Sequence, residues 1–225
     1  MKLAHVRALL YMIVIFCGTG CTKGTPQAPV PIRDIPAYQE YTVIYNKTLN
    51  TTDADVLLRL EGDYGDPINM YDTAITMNGA QSCNGTWALS GLQQMNMIFT
   101  RKNMAYVNTV SVTDIDDISF AASTPTEIIR SSPTTYSWDG PALSANETAS
   151  IEFIPQAGTG GYAGYGLGLT GNVIDLLPRT MSDLPAGNYT MQLKRRKTIP
   201  VQQQDNTAGG IIKIVLITER QVTLK

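Results

Sequence analysis

Proton transfer and nucleophilic attack in enzymes run most often through imidazole or thiolate, and this chain is short of both. Its one histidine is His5, and its cysteines are Cys17, Cys21 and Cys83. If the opening segment is removed, a Ser-His-Asp triad, a Cys-His dyad or a histidine metal site has no imidazole to draw on. The Ser-x-x-Lys pattern of penicillin-binding nucleophiles does not occur either. Cys83, left without a disulfide partner, reads as a small buried apolar residue. Carboxylates remain. Glu40, Glu61, Glu127, Glu147, Glu152 and Glu219 are of the right type for glycoside hydrolysis, which needs two facing carboxyl groups, but their spacing selects no pair. Glu61, Asp63 and Asp66, and again Asp114, Asp116 and Asp117, form clusters of the oxygen chemistry that calcium takes. Neither has the spacing of an EF-hand loop, and Asp is also an ordinary turn residue. No catalysis, cofactor or metal is expected.

Two stretches and one tryptophan offer contact chemistry instead. Residues 158–172 hold seven glycines and no charge, with Tyr162 and Tyr165 among them. Gly161, Gly164 and Gly166 are spaced somewhat like a phosphate loop, but no Gly-Lys-Ser/Thr follows. The stretch reads as a mobile loop. Its tyrosines, with Trp87, are candidate contacts for a sugar or a protein surface, since aromatic side chains among small neighbours make adaptable binding faces. Lys194, Arg195, Arg196 and Lys197 form a basic run at the end of an expected strand. It suits an anionic envelope polymer or lipid headgroup, or alternatively guards a sheet edge.

The segment that says most about location is the first. Lys2 and Arg7 make a short basic region, Ala8 to Phe16 is apolar without a charge, and Gly18, Thr19, Gly20 and Cys21 form a small-residue cleavage site. That order is the pattern of a secretory signal peptide. The apolar run is shorter than the roughly 20 residues a membrane-spanning helix needs. Cys21 after three small residues resembles the lipobox of bacterial lipoproteins. The resemblance implies a diacylglycerol on Cys21, which becomes the new N-terminus, and a membrane partner held through the lipid. Thr22, where lipoproteins kept on the inner membrane of many Gram-negative bacteria carry Asp, implies the outer membrane. Two or more acyl chains anchor stably where one does not. The alternative is ordinary cleavage nearby and a secreted soluble protein.

The whole chain carries 17 basic and 19 acidic residues, and loss of Lys2 and Arg7 with a leader makes it more acidic. No general attraction to nucleic acid is expected. Residues 22–36 contain Pro26, Pro29, Pro31 and Pro36, an extended tether reaching up to roughly 45 Å.

From Tyr38 onward, period-two alternation takes over. Tyr41, Val43 and Tyr45, then Val56, Leu58 and Leu60, predict an antiparallel pair joined by a turn over residues 46–53. Asn78-Gly79 is a hairpin signal. Further strands are predicted at Thr86–Leu89, Met95–Thr100, Ala105–Thr113, Ile115–Ala121, Ala149–Ile154 and Thr190–Lys194. Ile211–Ile217, almost unbrokenly apolar, is predicted as a strand in a central or interface position. Tyr136-Ser137-Trp138 and Asp183-Leu184-Pro185-Ala186-Gly187-Asn188-Tyr189 resemble the immunoglobulin and fibronectin type III sandwiches. That resemblance implies a core role for Trp138 and a tyrosine corner at Tyr189.

The expected molecule is all-β. A signal peptide (1–20) and a lipidated Cys21 with its Pro-rich tether (21–37) precede two tandem immunoglobulin-like β-sandwich domains (38–122 and 123–225). The expected function is that of a cell-envelope lipoprotein, a non-catalytic binding or structural module with an envelope protein or glycan as partner. The alternatives are a carbohydrate-binding surface lipoprotein and a carboxylate-dependent glycosidase.

Overall fold

The chain divides into two units, Met1–Asp34 and Ile35–Lys225. The computed structural model describes residues 37–59, 68–70, 73–75, 82–91, 94–101, 104–156, 163–168 and 171–225, with the backbone alone at 59, 68–70, 73–75, 82–88, 100–101 and 163–168. The segment expected as a signal peptide, Cys21, the segment expected as a tether, Asn78-Gly79, the Glu61–Asp63–Asp66 cluster and Tyr162 lie outside the described residues.

The fold is all-β, and the described strands form three sheets. The largest has eight strands in the order β12 (Ala163–Gly168), β11 (Glu147–Pro155), β14 (Gly187–Pro200), β15 (Gly210–Leu224), β1 (Tyr38–Asn46), β2 (Thr51–Arg59) and β5 (Ser82–Ser90). The short β9 (Glu127–Ile128) adds to the far end of β15. A four-stranded sheet runs β4 (Thr73–Ile75), β3 (Ile68–Met70), β6 (Gln94–Arg101) and β7 (Met104–Ser111). A three-stranded sheet runs β13 (Val173–Leu176), β10 (Thr134–Asp139) and β8 (Ser119–Phe120). Among the described residues one short α-helix, α1 (Pro178–Met181), begins on a proline, where a missing N–H costs nothing.

Alternation decides the faces. On β1 and β2, Tyr41, Val43, Ala54, Val56 and Leu58 turn inward. Ile212, Ile214 and Leu216 of β15, Met191 and Leu193 of β14, and Ala149, Ile151 and Phe153 of β11 do the same. Met95, Met97, Phe99 and Val110 from the four-stranded sheet join that core, as do Tyr136, Trp138, Ile174 and Leu176 from the three-stranded one. Phe153 meets Tyr189 edge-on at 6.3 Å between ring centres, a geometry favoured by the ring quadrupoles.

No separation into two sheet systems falls at the boundary expected near residue 122. β1 pairs in parallel with β15 from Gln39↔Gly210 to Asn46↔Ile217, so strands from both expected halves share one sheet and one core. The antiparallel β1–β2 pair does form, through a turn that uses Asn50 at φ 53°. The Ile211–Ile217 strand is central, between β14 and β1. Two local expectations are corrected. Ile115–Ala121 is a strand only at β8, because the chain first makes a 3-10 turn at Val112–Asp114, closed by a capping box between Ser111 and Asp114. The glycine-rich stretch is not loop throughout: β12 pairs along β11 with a bulge at Ile151/Glu152. Main-chain hydrogen bonds serve glycine as well as any residue, and bulges accommodate it.

The two residues singled out by the sandwich resemblance have clear local roles. Trp138 is buried, and its Nε1 donates to Pro141 O at 3.3 Å. Tyr189 is buried and its hydroxyl donates to Pro185 O at 2.9 Å, spanning the corner that leads into β14. Tyr189→Phe removes this one bond while keeping the ring. It should lower stability by about 1 kcal/mol, or about 2–4 °C in Tm for a chain of this size; an unchanged melting curve would deny the corner any structural weight.

Candidate functional site

β14 carries the basic run, and period two splits it. Lys194 and Arg196 stand on the outer face of the large sheet, where Lys194 pairs with Glu152 at 2.5 Å and Arg196 is exposed. Arg195 and Lys197 turn to the other face. Lys197 Nζ donates to Asp114 O at 2.5 Å. The four cations are therefore not one patch.

Arg195 is the centre of a buried charged site. Its side chain is 0% exposed, and its Nη2 lies 2.6 Å from Glu147 Oε2 and 3.2 Å from Asp116 Oδ2. Nη1 donates to Pro141 O at 2.8 Å and Nη2 to Ala142 O at 3.2 Å. Arg195 thus holds the strand start at Glu147, the segment around Asp116 and the loop after β10 against β14. Close approach is built into that loop: Gly140 sits at φ +135°, and a Cβ there would fall 2.4 Å from Asp117 O. Burial would raise the Glu147 carboxyl, but the Arg195 guanidinium and the Ser144 N–H outweigh it and hold Glu147 below the usual carboxylate range. A buried carboxylate held ionised by a guanidinium is a brace. It has neither the raised pKa of a general acid nor the open side a substrate needs.

The other described glutamates are engaged too. Glu40 pairs with Lys213, Glu127 with Lys225 at 2.7 Å, and Glu219 accepts from Asn46 at 2.8 Å and Gln192 at 2.7 Å. Asp114, Asp116 and Asp117 do not converge. Asp114 accepts from Ser111 N, Asp116 faces Arg195, and Asp117 pairs with Lys47 at 2.5 Å. Among the described residues no group of three or more carboxylate, histidine or cysteine side chains is placed to hold a metal ion.

A second buried polar centre joins β1, β7 and the β14–β15 loop. Asn108 and Gln39 are both 0% exposed. Asn108 Nδ2 donates to Gln39 Oε1 at 3.0 Å and to Gln203 O at 3.1 Å, and Asn108 Oδ1 accepts from the N–H groups of Gln202 (2.8 Å) and Gln203 (3.0 Å). Tyr41 Oη donates to Gln39 Oε1 at 2.7 Å, and burial pushes the Tyr41 phenol well above its ordinary range. The side-chain amides of Gln202 and Gln203 then act as an extra strand on the edge of β7. Val107 N donates to Gln203 Oε1 at 2.8 Å, Thr109 N donates to Gln202 Oε1 at 2.9 Å, and Gln202 Nε2 donates to Thr109 O at 2.9 Å. An edge covered in this way is closed to pairing with another chain. Asp205, two residues on, accepts from Ala37 N at 2.8 Å and from Tyr106 Oη at 3.0 Å, which fixes where β1 begins.

Of the aromatic candidates, Trp87 lies in β5 opposite Ala54 and Tyr165 lies in β12; their side chains, with that of Cys83 opposite Leu58, are outside the described set. No protein-family model matches this chain, and no curated protein matches it. Both polar centres escaped sequence reasoning. Arg195 was visible as a charge at an inward-phased position between Leu193 and Lys197, which was the available signal. The amide centre left none, because its members are about 70 and 160 residues apart in the chain.

Proposed function

We propose that this protein is a lipid-anchored component of a bacterial cell envelope, attached through Cys21, that works without catalysis as a structural or assembly module. One observation carries the reading: the chain arriving from the proline-rich segment enters the middle of the largest sheet. β1 is flanked by β15 on one side and β2 on the other, and its start is clamped by the Ala37–Asp205 hydrogen bond of 2.8 Å. A pull along the tether loads the parallel β1–β15 pairing in shear, across all its hydrogen bonds at once, instead of peeling an edge strand. That suits a domain held at one end and bound at another. The commitment of each described glutamate to a cation or an amide supports binding over hydrolysis. Trp138 and the Tyr189 corner support an immunoglobulin-like character for residues 123–225.

A glycan partner is favoured by a different observation, a shallow cleft of about 350 Å³ bordered by Thr126, Glu127, Gln156, Asn188, Gln221 and Thr223. Amides and hydroxyls of that kind exchange hydrogen bonds readily with sugar hydroxyls.

The anchor is tested directly. Cys21→Ala should move nearly all of the protein from the membrane to the soluble fraction and abolish incorporation of labelled palmitate. Undiminished membrane retention of the variant would sink the lipid-anchor reading.

A further inference from the structure

At the C-terminal end of β15, opposite the end where β1 begins, three chain segments border a groove of about 660 Å³. Ile129 and Arg130 follow β9, Pro178, Arg179 and Ser182 belong to α1 and its exit, and Lys225 ends the third side. The volume is in the range of small-molecule sites. Its chemistry is split. Ile129 is 47% exposed and Leu177, beside Pro178, is 37% exposed, large apolar side chains left open to water beside cations.

The cations are arranged for a ligand more than for the protein itself. Lys225 has a carboxylate partner, Glu127 at 2.7 Å. Arg130 and Arg179 pair with no carboxylate among the described residues. Arg130 is nonetheless fixed: its Nη1 donates to Leu184 O at 2.5 Å, and its main-chain N donates to Lys225 O at 3.0 Å. Its Nε is buried and has no acceptor. Arg179 is exposed and also lines the groove. Guanidinium groups are forks matched to the paired oxygens of carboxylate and phosphate.

We propose that this groove binds a small amphiphilic oxyanion, a carboxylate or phosphate borne on a short apolar body. Arg130 and Arg179 take the oxygens, and Ile129 and Pro178 take the apolar body. The site is independent of the lipid anchor and of the assembly role, and its failure would leave both standing.

Calorimetric titration of the purified full-length protein tests it, with hexyl phosphate, hexanoate, inorganic phosphate and hexanol as probes. Saturable one-to-one binding is expected for hexyl phosphate or hexanoate, weaker binding for inorganic phosphate, and none for hexanol. Arg179→Gln should weaken the oxyanion by about tenfold, the scale of one charged hydrogen bond. Arg196→Gln, on an exposed cation of β14, should leave it unchanged. Arg179 is exposed, so its variant should melt with the parent. Competition by anionic phospholipid vesicles would assign the oxyanion to a lipid headgroup, and its absence to a soluble molecule; either supports the site. Absent or unsaturable binding, equal binding of hexanol, or an equal loss in Arg196→Gln would overturn it.

Discussion

Replacing Arg195 with Met should destabilise the protein by about 3–5 kcal/mol, because it leaves the buried Glu147 carboxylate without its cation. At this chain length the loss amounts to about 10 °C in Tm. Size alone does not account for it: Met fills much of the volume of Arg, so the cost comes from charge and from the freed carbonyls of Pro141 and Ala142, which accept from Arg195 at 2.8 and 3.2 Å. Adding Glu147→Leu to Arg195→Met should recover some of the loss, since it removes the stranded charge. Strict additivity of the two substitutions in urea unfolding would show that the 2.6 Å pair carries no coupling of its own.

The pH dependence fixes the sign of that coupling. Glu147 in the folded protein titrates below its ordinary value, so its contribution is complete above the ordinary carboxylate range and is lost as pH falls through the depressed folded value. In Arg195→Met the balance reverses. Burial, the largest influence, is then opposed only by the N–H and side chain of Ser144, so the Glu147 carboxyl should rise above its unfolded value and stability should fall as pH rises between the two. The gap between parent and variant should therefore be widest near neutral pH and should shrink toward pH 4. A gap that stays constant from pH 4 to pH 7 would mean that the Glu147 charge is not what Arg195 compensates.

Strand positions were legible in this sequence to the extent that alternation is a local signal. Tyr41, Val43, Val56 and Leu58 declare an inward face within a few residues of one another, and the structure buries all four. Pairing was less legible. Nothing near Gln39 says that its strand lies parallel to Gly210, because register across such a distance depends on core volume and on loops no local pattern encodes. The expectation of two separate sandwiches took no account of this β1–β15 pairing, which puts strands of both expected halves in one sheet. The basic run shows the opposite limit: four like charges in a row suggest a patch, yet strand phase sends Arg195 into the interior and Arg196 into solvent. Phase was readable from Met191 and Leu193; the buried carboxylate waiting at Glu147 was not.

The amide centre should prove as sensitive as the charged one. Asn108 uses its full capacity, two donated and two accepted hydrogen bonds, with no exposure to water. Asn108→Asp is nearly isosteric, yet it turns the donating nitrogen into an oxygen facing Gln39 Oε1 and Gln203 O and places a charge where no cation is near it among the described partners. The expected cost is roughly 3 kcal/mol or more at neutral pH. It should lessen in acid, because a buried carboxyl that protonates regains one donor. The damage should also be local first. Gln202 and Gln203 are held on β7 through Asn108, so their release uncovers the amides of Val107 and Thr109, and hydrogen exchange there should quicken toward exposed rates while Leu193 and Ile214 in the central strands stay protected. The same loop carries Asp205, which clamps Ala37 at the entry to β1. Loosening it by Asn108→Asp should lower the force at which a pull on the N-terminal side unravels the sheet, and unfolding forces equal to those of the parent would separate the amide centre from any role in resisting tension.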